Sequence, residues 1–319
     1  MGSCHNSFTV EQIGRIPKNV ARIRESHLSI LKPPLGKGAW GIVSKARLTR
    51  KGKSALGIQE SKEDVVCVKS VTDINMFLRE VQIYADLLSA PTNCDYILRI
   101  MGVSTTKPFF VLEYFNGISL EQLIRSNVLH NTHRIWYALQ LARALRYLHS
   151  MQIMHGDVKP GNILINTSTN HLKLIDFGIA SNLSRETIQA NGAGTPAYTG
   201  PERYAEFNKR RYKIGLAADI FALGIVLVDL FQGNGEVNPR RRLPLDELLM
   251  EYGHEKYFIP RAMGEFSSDL ATLTGDCINP IPNDRPLIDA VCLRLGILSV
   301  TCCKRANCIG LSEITQYRR

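Results

Sequence analysis

Three side chains of different chemistry lie close together in the stretch MHGDVKPGNIL at residues 154–164: Asp157, Lys159 and Asn162. The glycines and the proline of this stretch disfavour both a regular helix and a central strand, so we expect a loop. An aspartate can act as a base towards a hydroxyl group, a lysine can offset phosphate charge, and an asparagine oxygen can bind Mg²⁺. These residue types therefore suit phosphoryl transfer, although similar turn-forming pairs are common in surface loops without such a role.

A glycine-rich stretch nearer the N-terminus is a second candidate for phosphate chemistry. Residues 35–43 read LGKGAWGIV, and an alternating run follows as far as Leu48. The pattern indicates two strands joined by a glycine-rich turn, in which backbone N–H groups can approach phosphate groups closely. A tight hairpin without a ligand explains the pattern equally well. It is not the dinucleotide-binding pattern, because that pattern leads into a helix.

A lysine and a glutamate follow in the next two elements. Residues 65–69 read VVCVK, a short strand that ends in Lys69. From residue 74 to residue 88 the apolar side chains follow helical spacing, and Glu80 shares their inward face. A carboxylate on a buried face needs a cation, and Lys69 is the candidate.

The remaining periodic segments supply a scaffold for these residues. Residues 96–114 contain two more strands, which complete a five-strand antiparallel N-terminal unit with one helix. Apolar residues between His133 and His149 predict a long amphipathic helix that leads into the 154–164 loop. A helix at 217–231 is apolar nearly all round, so we expect it to be buried. The hinge between the two units is expected at residues 113–117.

Composition places the chain among globular proteins. Its 319 residues are 45% hydrophobic, which is enough for a sizeable core. The eight cysteines are scattered without a repeated metal-ligand spacing, and this favours reduced thiols and a cytoplasmic location. No apolar run reaches the length of a signal-peptide core or of a membrane span. We therefore expect a soluble protein unless it carries a lipid.

The formal charge of +10 is concentrated in two basic clusters, at residues 209–213 and 240–242. Neither cluster is interleaved with aromatic residues or belongs to a recognisable nucleic-acid-binding module. A solvated face or an acidic protein partner explains the clusters better than a nucleic acid does. We therefore expect no nucleic-acid partner.

The first residues resemble a lipidation signal. The chain begins MGSC, which is similar to a myristoylation start at Gly2 with a palmitoylation site at Cys4. Asn6, however, stands where the pattern needs serine or threonine. A flexible N-terminal extension over residues 1–29 is the simpler interpretation, and we expect membrane association only if this end is acylated.

Residues 299–319 are interpreted as a short C-terminal tail. Its three cysteines, Cys302, Cys303 and Cys308, are candidates for lipidation or metal binding. Three clustered cysteines without a histidine make a weak metal site. A tail that packs on the preceding domain is the simpler interpretation.

Seven motifs in succession resemble those of eukaryotic-type protein kinases. LGKGAWGIV is similar to the glycine-rich loop of that family, VVCVK to its strand-three lysine motif, and HGDVKPGN to its catalytic loop. The other four are IDFG at 175–178, GTPAYTGPE at 194–202, ADIFALG at 218–224 and NDRP at 283–286. They occur in the family's order and at its spacing, and the resemblance covers residues 30–298.

The resemblance implies an α+β fold with two lobes. The N-lobe, at about residues 30–113, would be a small antiparallel β-sheet with one helix. The C-lobe, at about residues 118–298, would be larger and mainly helical. Asp219 would anchor the catalytic loop, and Glu202 would pair with Arg285.

The resemblance also implies roles for individual residues. It assigns six residues to catalysis: Asp157, Lys159, Asn162, Lys69, Glu80 and Thr195. Asp157 would accept the proton of the substrate hydroxyl, while Asn162 and Asp176 would bind Mg²⁺. The residues assigned to ATP binding are Leu35, Gly36, Gly38, Gly41, Val43, Cys67, Lys69, Leu112, Glu113, Phe115 and Leu164. The implied cofactors are ATP and Mg²⁺, and the implied substrates are proteins.

Two positions bear on the substrate class. Lys159, together with Thr195, is similar to the pattern of serine/threonine kinases. Kinases that prefer basic substrates often carry acidic residues where this chain has Ser119 and Gly161. The chain lacks those acids and carries two basic clusters, so we expect substrates with an acidic or neutral context.

Gly156 is the main departure from the family pattern. Many regulated kinases have an arginine at this position, which pairs with a phosphate on the activation segment. Phosphorylation of Ser184 or Thr187 could not act through that contact here. We therefore expect constitutive activity, or control by a partner or by expression.

Two alternatives to a protein kinase stay open. HGD followed by PGN resembles the catalytic loop of small-molecule phosphotransferases, such as aminoglycoside and choline kinases, although these lack the GTPAYTGPE and NDRP motifs. A catalytically inactive scaffold is the other alternative. The presence of all the charged and metal-binding residues of the active enzymes argues against it.

Overall fold

A computed structural model of the chain describes residues 8–38, 41–59, 64–205, 212–232 and 259–305. The chain divides into two compact units, Met1–Asn116 and Gly117–Arg319. This boundary lies inside the 113–117 segment that was expected to be the hinge.

Several predictions concern side chains outside the described residues. They are the lipidation of Gly2 and Cys4, the metal or lipid role of Cys303 and Cys308, and the basic clusters, of which Lys213 alone is described. Within the described residues, no helix is both long enough and apolar enough to cross a membrane.

The first unit is built on one mixed sheet. Its strands are β1 (Arg22–Ile23), β2 (Leu28–Ile30), β3 (Gly36–Gly38), β4 (Gly41–Leu48), β5 (Val65–Val71), β6 (Ile100–Ser104) and β7 (Phe109–Glu113). The strand order is β1-β6-β7-β5-β4-β2, with β3 paired to β4. The five expected strands are present, but β1 and β2 extend the sheet, and β1 pairs with β6 in parallel. The sheet is thus mainly antiparallel, as expected, but it has two strands more than the five that were predicted.

The sheet has two chemically different faces because side chains alternate along each strand. Buried apolar residues of one face form a hydrophobic cluster: Ile23, Ala46, Leu48, Val66, Val68, Phe109 and Val111. On the other face Val43, Lys69 and Phe110 lie directly opposite one another on neighbouring strands. The candidate catalytic lysine therefore lies on the face that the apolar cluster does not use.

In the described part of the first unit there are three helices: α1 (Val10–Gly14), α2 (Arg50–Ala55) and α3 (Ile74–Leu88). Only α3 was expected, and its bounds agree with the predicted 74–88. Its first turn is capped by Asp73, whose carboxylate accepts a hydrogen bond of 2.8 Å from Met76 N. Two of its inward aromatic side chains, Phe77 and Tyr84, contact the ring of Phe110 in the sheet.

Residues 16–29 pack against the core of this unit. Ile16, Val20 and Ile23 are buried, and Arg22 lies opposite Val103 in the parallel pair. The expectation of a flexible extension over residues 1–29 was therefore wrong for residues 16–29, because their apolar side chains are part of the core.

The second unit is mainly helical. Its helices are α4 (Leu120–Arg125), α5 (Asn131–Ser150), α6 (Ala217–Phe231), α7 (Arg261–Phe266), α8 (Ser268–Cys277) and α9 (Ile288–Arg305). Two small sheets complete it, made of strands β8 (Ile118–Ser119), β9 (Ile153–Met154), β10 (Ile163–Asn166), β11 (His171–Leu174) and β12 (Ser181–Asn182). Every residue of α6 from 218 to 231 is buried, as its almost uniformly apolar sequence predicts.

Candidate active site

The predicted catalytic loop lies between β9 and β10 and is held from its backbone. The carboxylate of Asp219, near the start of α6, accepts hydrogen bonds from His155 N at 2.8 Å and from Gly156 N at 2.9 Å. It also lies 3.0 Å from Nε2 of His149, near the end of α5. One buried carboxylate therefore ties the loop to helices α5 and α6 of the second unit.

Asp219 stays ionised in spite of its burial. Burial alone would raise the pKa of this carboxyl, because it disfavours the charged form. The hydrogen bond and charge of His149, the charge of His155 and the Gly156 N–H outweigh that effect and hold the pKa of Asp219 below its ordinary value. The anchoring role of Asp219 was expected, whereas its contact with His149 was not.

The carboxylate of Asp157 accepts hydrogen bonds from three residues, Lys159, Asn162 and Thr195. Its Oδ2 accepts hydrogen bonds from Lys159 Nζ at 2.7 Å and Asn162 Nδ2 at 2.9 Å. Its Oδ1 accepts from Thr195 Oγ1 at 2.7 Å and Thr195 N at 3.0 Å. An ionised carboxylate has about four acceptor positions, so these four donors occupy them all.

Lys159 and Thr195 also contact each other. Lys159 Nζ donates to Thr195 Oγ1 at 2.7 Å, which closes a triangle with Asp157. Thr195 is placed there by the Pro196–Tyr198 turn, because Thr199 Oγ1 donates to its carbonyl oxygen at 2.9 Å. Asp157, Lys159 and Thr195 thus contact one another in all three pairs.

Asn162 and Asp176 were the predicted Mg²⁺ ligands. The amide nitrogen of Asn162 donates to both the carbonyl oxygen and Oδ2 of Asp157, which leaves its amide oxygen as the atom for a metal. Asp176 has a left-handed backbone with φ of 68°, an uncommon conformation for a residue other than glycine that often marks functional sites. An amide oxygen and a carboxylate are suitable donors for Mg²⁺, so these residues fit the ion.

The first unit contains the predicted Lys69–Glu80 ion pair. Lys69 Nζ lies 2.7 Å from Glu80 Oε1 and 2.9 Å from Oε2. The Glu80 side chain is 2% exposed and the Lys69 side chain 14% exposed. Glu80 therefore lies on the buried face of α3, as the helical spacing predicted, and its charge is paired.

Three of the residues predicted to bind ATP, Val43, Cys67 and Leu112, lie on the same face of the sheet as Lys69. Cys67 is two residues before Lys69 and lies opposite Leu112, and Val43 lies opposite Lys69. Burial raises the pKa of the Cys67 thiol to about 11, so the side chain is protonated at neutral pH and behaves as a small apolar group. Glu113 and Phe115, at and beyond the end of β7, are both half-buried, and Glu113 Oε1 accepts from Arg99 N at 2.9 Å.

The glycine-rich turn fits the close approach of a phosphate. A Cβ at Gly41 would lie 1.7 Å from the carbonyl oxygen of Ser70, so only glycine fits there. A Cβ at Gly36 or Gly38 would meet nothing within 4 Å, so their backbone is open. Leu35, just before them, is 54% exposed. The last predicted ATP residue, Leu164, belongs to the second unit and is half-buried in β10, opposite Ser119.

Two buried pairs support the second unit around the predicted loop. Arg285 donates to both carboxylate oxygens of Glu202, at 2.7 and 2.8 Å, and this is the expected pair. Tyr198 OH donates to Asp229 Oδ2 at 2.5 Å, which gives the second acidic residue of α6 a partner. This second pair was not expected.

Gly156 has a neighbour that the sequence did not reveal. The buried guanidinium of Arg203 donates from Nη1 to the carbonyl oxygen of Gly156 at 2.9 Å. Gly156 has a φ of 80°, and a Cβ there would lie 3.0 Å from Ile179 O and 3.2 Å from Arg203 Nη1. Burial lowers the pKa of Arg203 from its ordinary value. Any side chain at position 156 would therefore adopt an unfavourable backbone conformation beside a guanidinium.

A carboxylate also lies near Gly161. A Cβ at Gly161 would be 3.3 Å from Glu121 Oε2, and Glu121 forms a salt bridge of 3.0 Å with Arg125. An acidic group is therefore present at this place although residue 161 has none. The expectation of acidic or neutral substrates was based partly on the absence of acids at residues 119 and 161. Glu121 supplies a carboxylate near residue 161, so only the absence at residue 119 still supports that expectation.

Comparison with known proteins agrees with the geometry. Residues 30–294 match the family described as protein kinase domain. Over 66% of this chain, Mitogen-activated protein kinase kinase 7 and Mitogen-activated protein kinase kinase 9 from Arabidopsis thaliana are 30% identical to it. Serine/threonine-protein kinase sid1 from Schizosaccharomyces pombe is 26% identical over 79% of the chain. The matches span 66%, 65% and 50% of these relatives, so the chain covers less than two thirds of their length. The match over residues 30–294, together with the α+β fold, shows that the chain belongs to the protein kinase family.

Proposed function

We propose that the chain is a serine/threonine protein kinase that transfers the γ-phosphate of ATP to hydroxyl groups of proteins. The observation that carries the proposal is the triangle of Asp157, Lys159 and Thr195, in which a fixed carboxylate lies beside a cation and a hydroxyl group. One of the similar proteins is itself named a serine/threonine-protein kinase, which supports the substrate class.

Asp157 is suited to receive the substrate hydroxyl. Because its four acceptor positions are occupied, an incoming hydroxyl has to take the place of one donor. The Thr195 hydroxyl is the simplest to replace, since its hydrogen can rotate away while Thr195 N and Lys159 keep the carboxylate in position. Asp157 would then orient the hydroxyl and accept its proton, a contribution typically worth about 10² to 10⁴ in rate.

The remaining residues would bind the nucleotide and its metal. When bound, ATP supplies the phosphoryl group and Mg²⁺ offsets its charge. The Asn162 amide oxygen and the Asp176 carboxylate would hold the metal, and Lys69 would bind the α- and β-phosphates while Glu80 fixes its ammonium group. Lys159 would offset charge on the transferred group. Catalysis would then depend mainly on positioning and electrostatics.

We infer that this activity does not need phosphorylation of the activation segment. Support comes from apolar contacts: Leu183, Ile188 and Ala190 pack against a buried cluster that includes Met154 and Ile214. Ile188 also forms a β-bridge with Ile214.

Further along the segment, Gly192 N donates to the Arg203 carbonyl oxygen at 2.8 Å. The segment is thus held by contacts that contain no phosphate. Ser184 and Thr187 are exposed, so phosphorylation there would add charge outside these contacts.

The partners would be protein substrates, and the cell compartment would be the cytoplasm. The cysteines of the described residues are free thiols, which is usual in a reducing compartment.

For the sequence context of the substrate we retain the proposal of acidic or neutral residues. It is supported by the lack of an acid at Ser119 and weakened by Glu121 beside Gly161. A preference for arginine near the phosphorylated residue in a peptide array would overturn it.

The test is a phosphotransfer assay with the purified chain. With Mg-ATP we expect phosphate on serine and threonine of casein or myelin basic protein, and loss of at least about 100-fold in Asp157→Ala. Ser184→Ala with Thr187→Ala should retain wild-type activity, which tests independence from phosphorylation. Transfer only to an aminoglycoside or choline would favour the small-molecule alternative, and no transfer by the wild type would favour an inactive scaffold.

A further inference from the structure

The segment from Phe8 to Ile23, called the N-terminal strap below, contacts helix α3 on both sides of Glu80. The ring centroids of Phe8 and Phe77 are 5.4 Å apart. Near the other end of the helix, the side-chain nitrogen of Asn19 donates to the Ala85 carbonyl oxygen at 2.8 Å and to Ser89 Oγ at 2.9 Å. Since one helical turn takes about 3.6 residues, Phe77 lies roughly one turn before Glu80, whereas Ala85 and Ser89 lie roughly one and a half and two and a half turns after it.

The strap has its own internal structure. Thr9 and Gln12 form a reciprocal capping box at the start of α1, with hydrogen bonds of 3.2 and 2.9 Å. Beyond α1, Ile16 and Val20 are each 2% exposed. Strand β1 then joins the strap to the edge of the sheet. The strap is therefore anchored at its C-terminal end in the same sheet that carries Lys69.

A row of aromatic contacts links the strap to the ion pair. The Phe77 ring, which contacts Phe8, lies 4.7 Å from the Phe110 ring. Lys69 Nζ in turn lies over the Phe110 ring at 5.7 Å from its centroid, and Lys69 is opposite Phe110 in the sheet. The strap thus packs on Phe77, whose ring contacts Phe110 beside the catalytic lysine.

We propose that Phe8 and Asn19 are positioning residues that hold α3 where Glu80 pairs with Lys69. The geometry of the Lys69–Glu80 pair is then fixed by a segment of the same chain. This agrees with the proposal that activity does not need phosphorylation of the activation segment. This inference rests on the proposed kinase function. The inference goes beyond that function because it assigns a positioning role to residues that precede the segment matching the family.

The first test compares Phe8→Ala and Asn19→Ala with Glu11→Ala. Glu11 is the matched control because, within the described part of the chain, its carboxylate pairs with Arg15 of the strap itself, at 2.7 Å, and both side chains are exposed. We expect kcat/KM for ATP to fall about 3- to 10-fold in each strap variant, which corresponds to the loss of one contact. Glu11→Ala should match the wild type, and Phe8→Tyr should restore activity because it keeps the ring. Wild-type kcat/KM in both strap variants would overturn the proposal.

A double-mutant cycle separates positioning from general destabilisation. If the strap acts through Glu80, adding Asn19→Ala to Glu80→Gln should cause little further loss in kcat/KM. An additive loss would contradict the proposal, since it would mean that Asn19 acts elsewhere.

Hydrogen exchange gives a readout that does not depend on activity. Amides of α3 around Glu80 should exchange faster in Phe8→Ala and Asn19→Ala than in the wild type and in Glu11→Ala. Unchanged exchange would contradict the strap's role. If the wild type transferred no phosphate, the proposed function would fail, and the exchange measurement would still decide whether the strap holds α3.

Discussion

The two charged sites of the molecule are held in different ways. In the first unit, Lys69 and Glu80 are joined by one ion pair between a strand and a helix. In the second unit, Asp157 has four donors around its carboxylate, and Asp219 anchors the backbone of its loop. Moving one helix would break the first site, whereas the second cannot change without losing several buried hydrogen bonds. Control of activity is therefore expected to act on the first site.

The strongest test of this comparison is the removal of Asp219. In Asp219→Ala, two backbone N–H groups and His149 lose their acceptor in a buried place. At about 1 to 3 kcal/mol for each unsatisfied group, the free energy of unfolding should fall by about 3 kcal/mol or more. Denaturant unfolding of the variant measures this, with the exposed Asp289→Ala as control. A fall below about 1 kcal/mol would mean that the loop does not depend on this carboxylate.

The lowered pKa of Asp219 predicts that the free energy of unfolding depends on pH. The folded-state pKa of Asp219 lies below its ordinary value, so its stabilising contribution is complete above the unfolded-state pKa of about 3.9. As pH falls through the folded-state value the contribution is lost, because the unfolded chain binds the proton first. Asp219→Asn should lack this part of the acid dependence in an unfolding series from pH 6 to pH 3. Parallel curves for variant and wild type would contradict the assignment.

A smaller effect, confined to activity, is expected in the first unit. Glu80→Gln removes the carboxylate charge that pairs with the Lys69 ammonium while it keeps the shape of the side chain. A hydrogen bond between charged groups contributes about 1.5 to 3 kcal/mol, so kcat/KM should fall about 10- to 100-fold with stability little changed. Steady-state kinetics and thermal unfolding measure the two quantities. Arg79→Gln, an exposed change on the same helix, is the control.

The smallest effect should follow from Thr195. Thr195→Val removes one hydroxyl from the network around Asp157, but Thr195 N, Lys159 and Asn162 still bind the carboxylate. The hydroxyl loses its hydrogen bonds with Asp157 and Lys159, but these two residues still contact each other directly, so we expect a net cost of about 1 kcal/mol. The value of kcat should then fall roughly 5-fold, and Thr195→Ser should retain the wild-type rate. A fall as large as that of Glu80→Gln would show that the second site is no more robust than the first.

Local patterns made part of the site predictable. Helical spacing placed Glu80 on an inward face, and a strand ending in lysine supplied the nearest cation, so the pair followed from two short segments. The bounds of α3 and α6 followed in the same way from continuous apolar periodicity. The contact between Glu202 and Arg285 followed only from the family resemblance, because no pattern in the sequence joins those residues.

Other contacts could not be predicted because they join distant residues without a repeating pattern. His149 and Asp219 are 70 positions apart, Gly156 and Arg203 are 47 apart, and Asn19 and Ala85 are 66 apart. Periodicity shows which face of an element is buried, but it does not show which polar group will meet another across the core. One signal was present for Asp219 and equally for Asp229, since a charged residue in an almost uniformly apolar helix needs a partner.

The two-faced sheet of the first unit limits how this part of the chain can diverge. Its apolar cluster and its charged face alternate along the same strands, so one inserted or deleted residue within β4 or β5 would exchange the faces. Lys69 would then point into the hydrophobic cluster and a valine would take its place. Over evolution, changes of length should therefore be found between these strands and be excluded from within them, even where single substitutions are accepted.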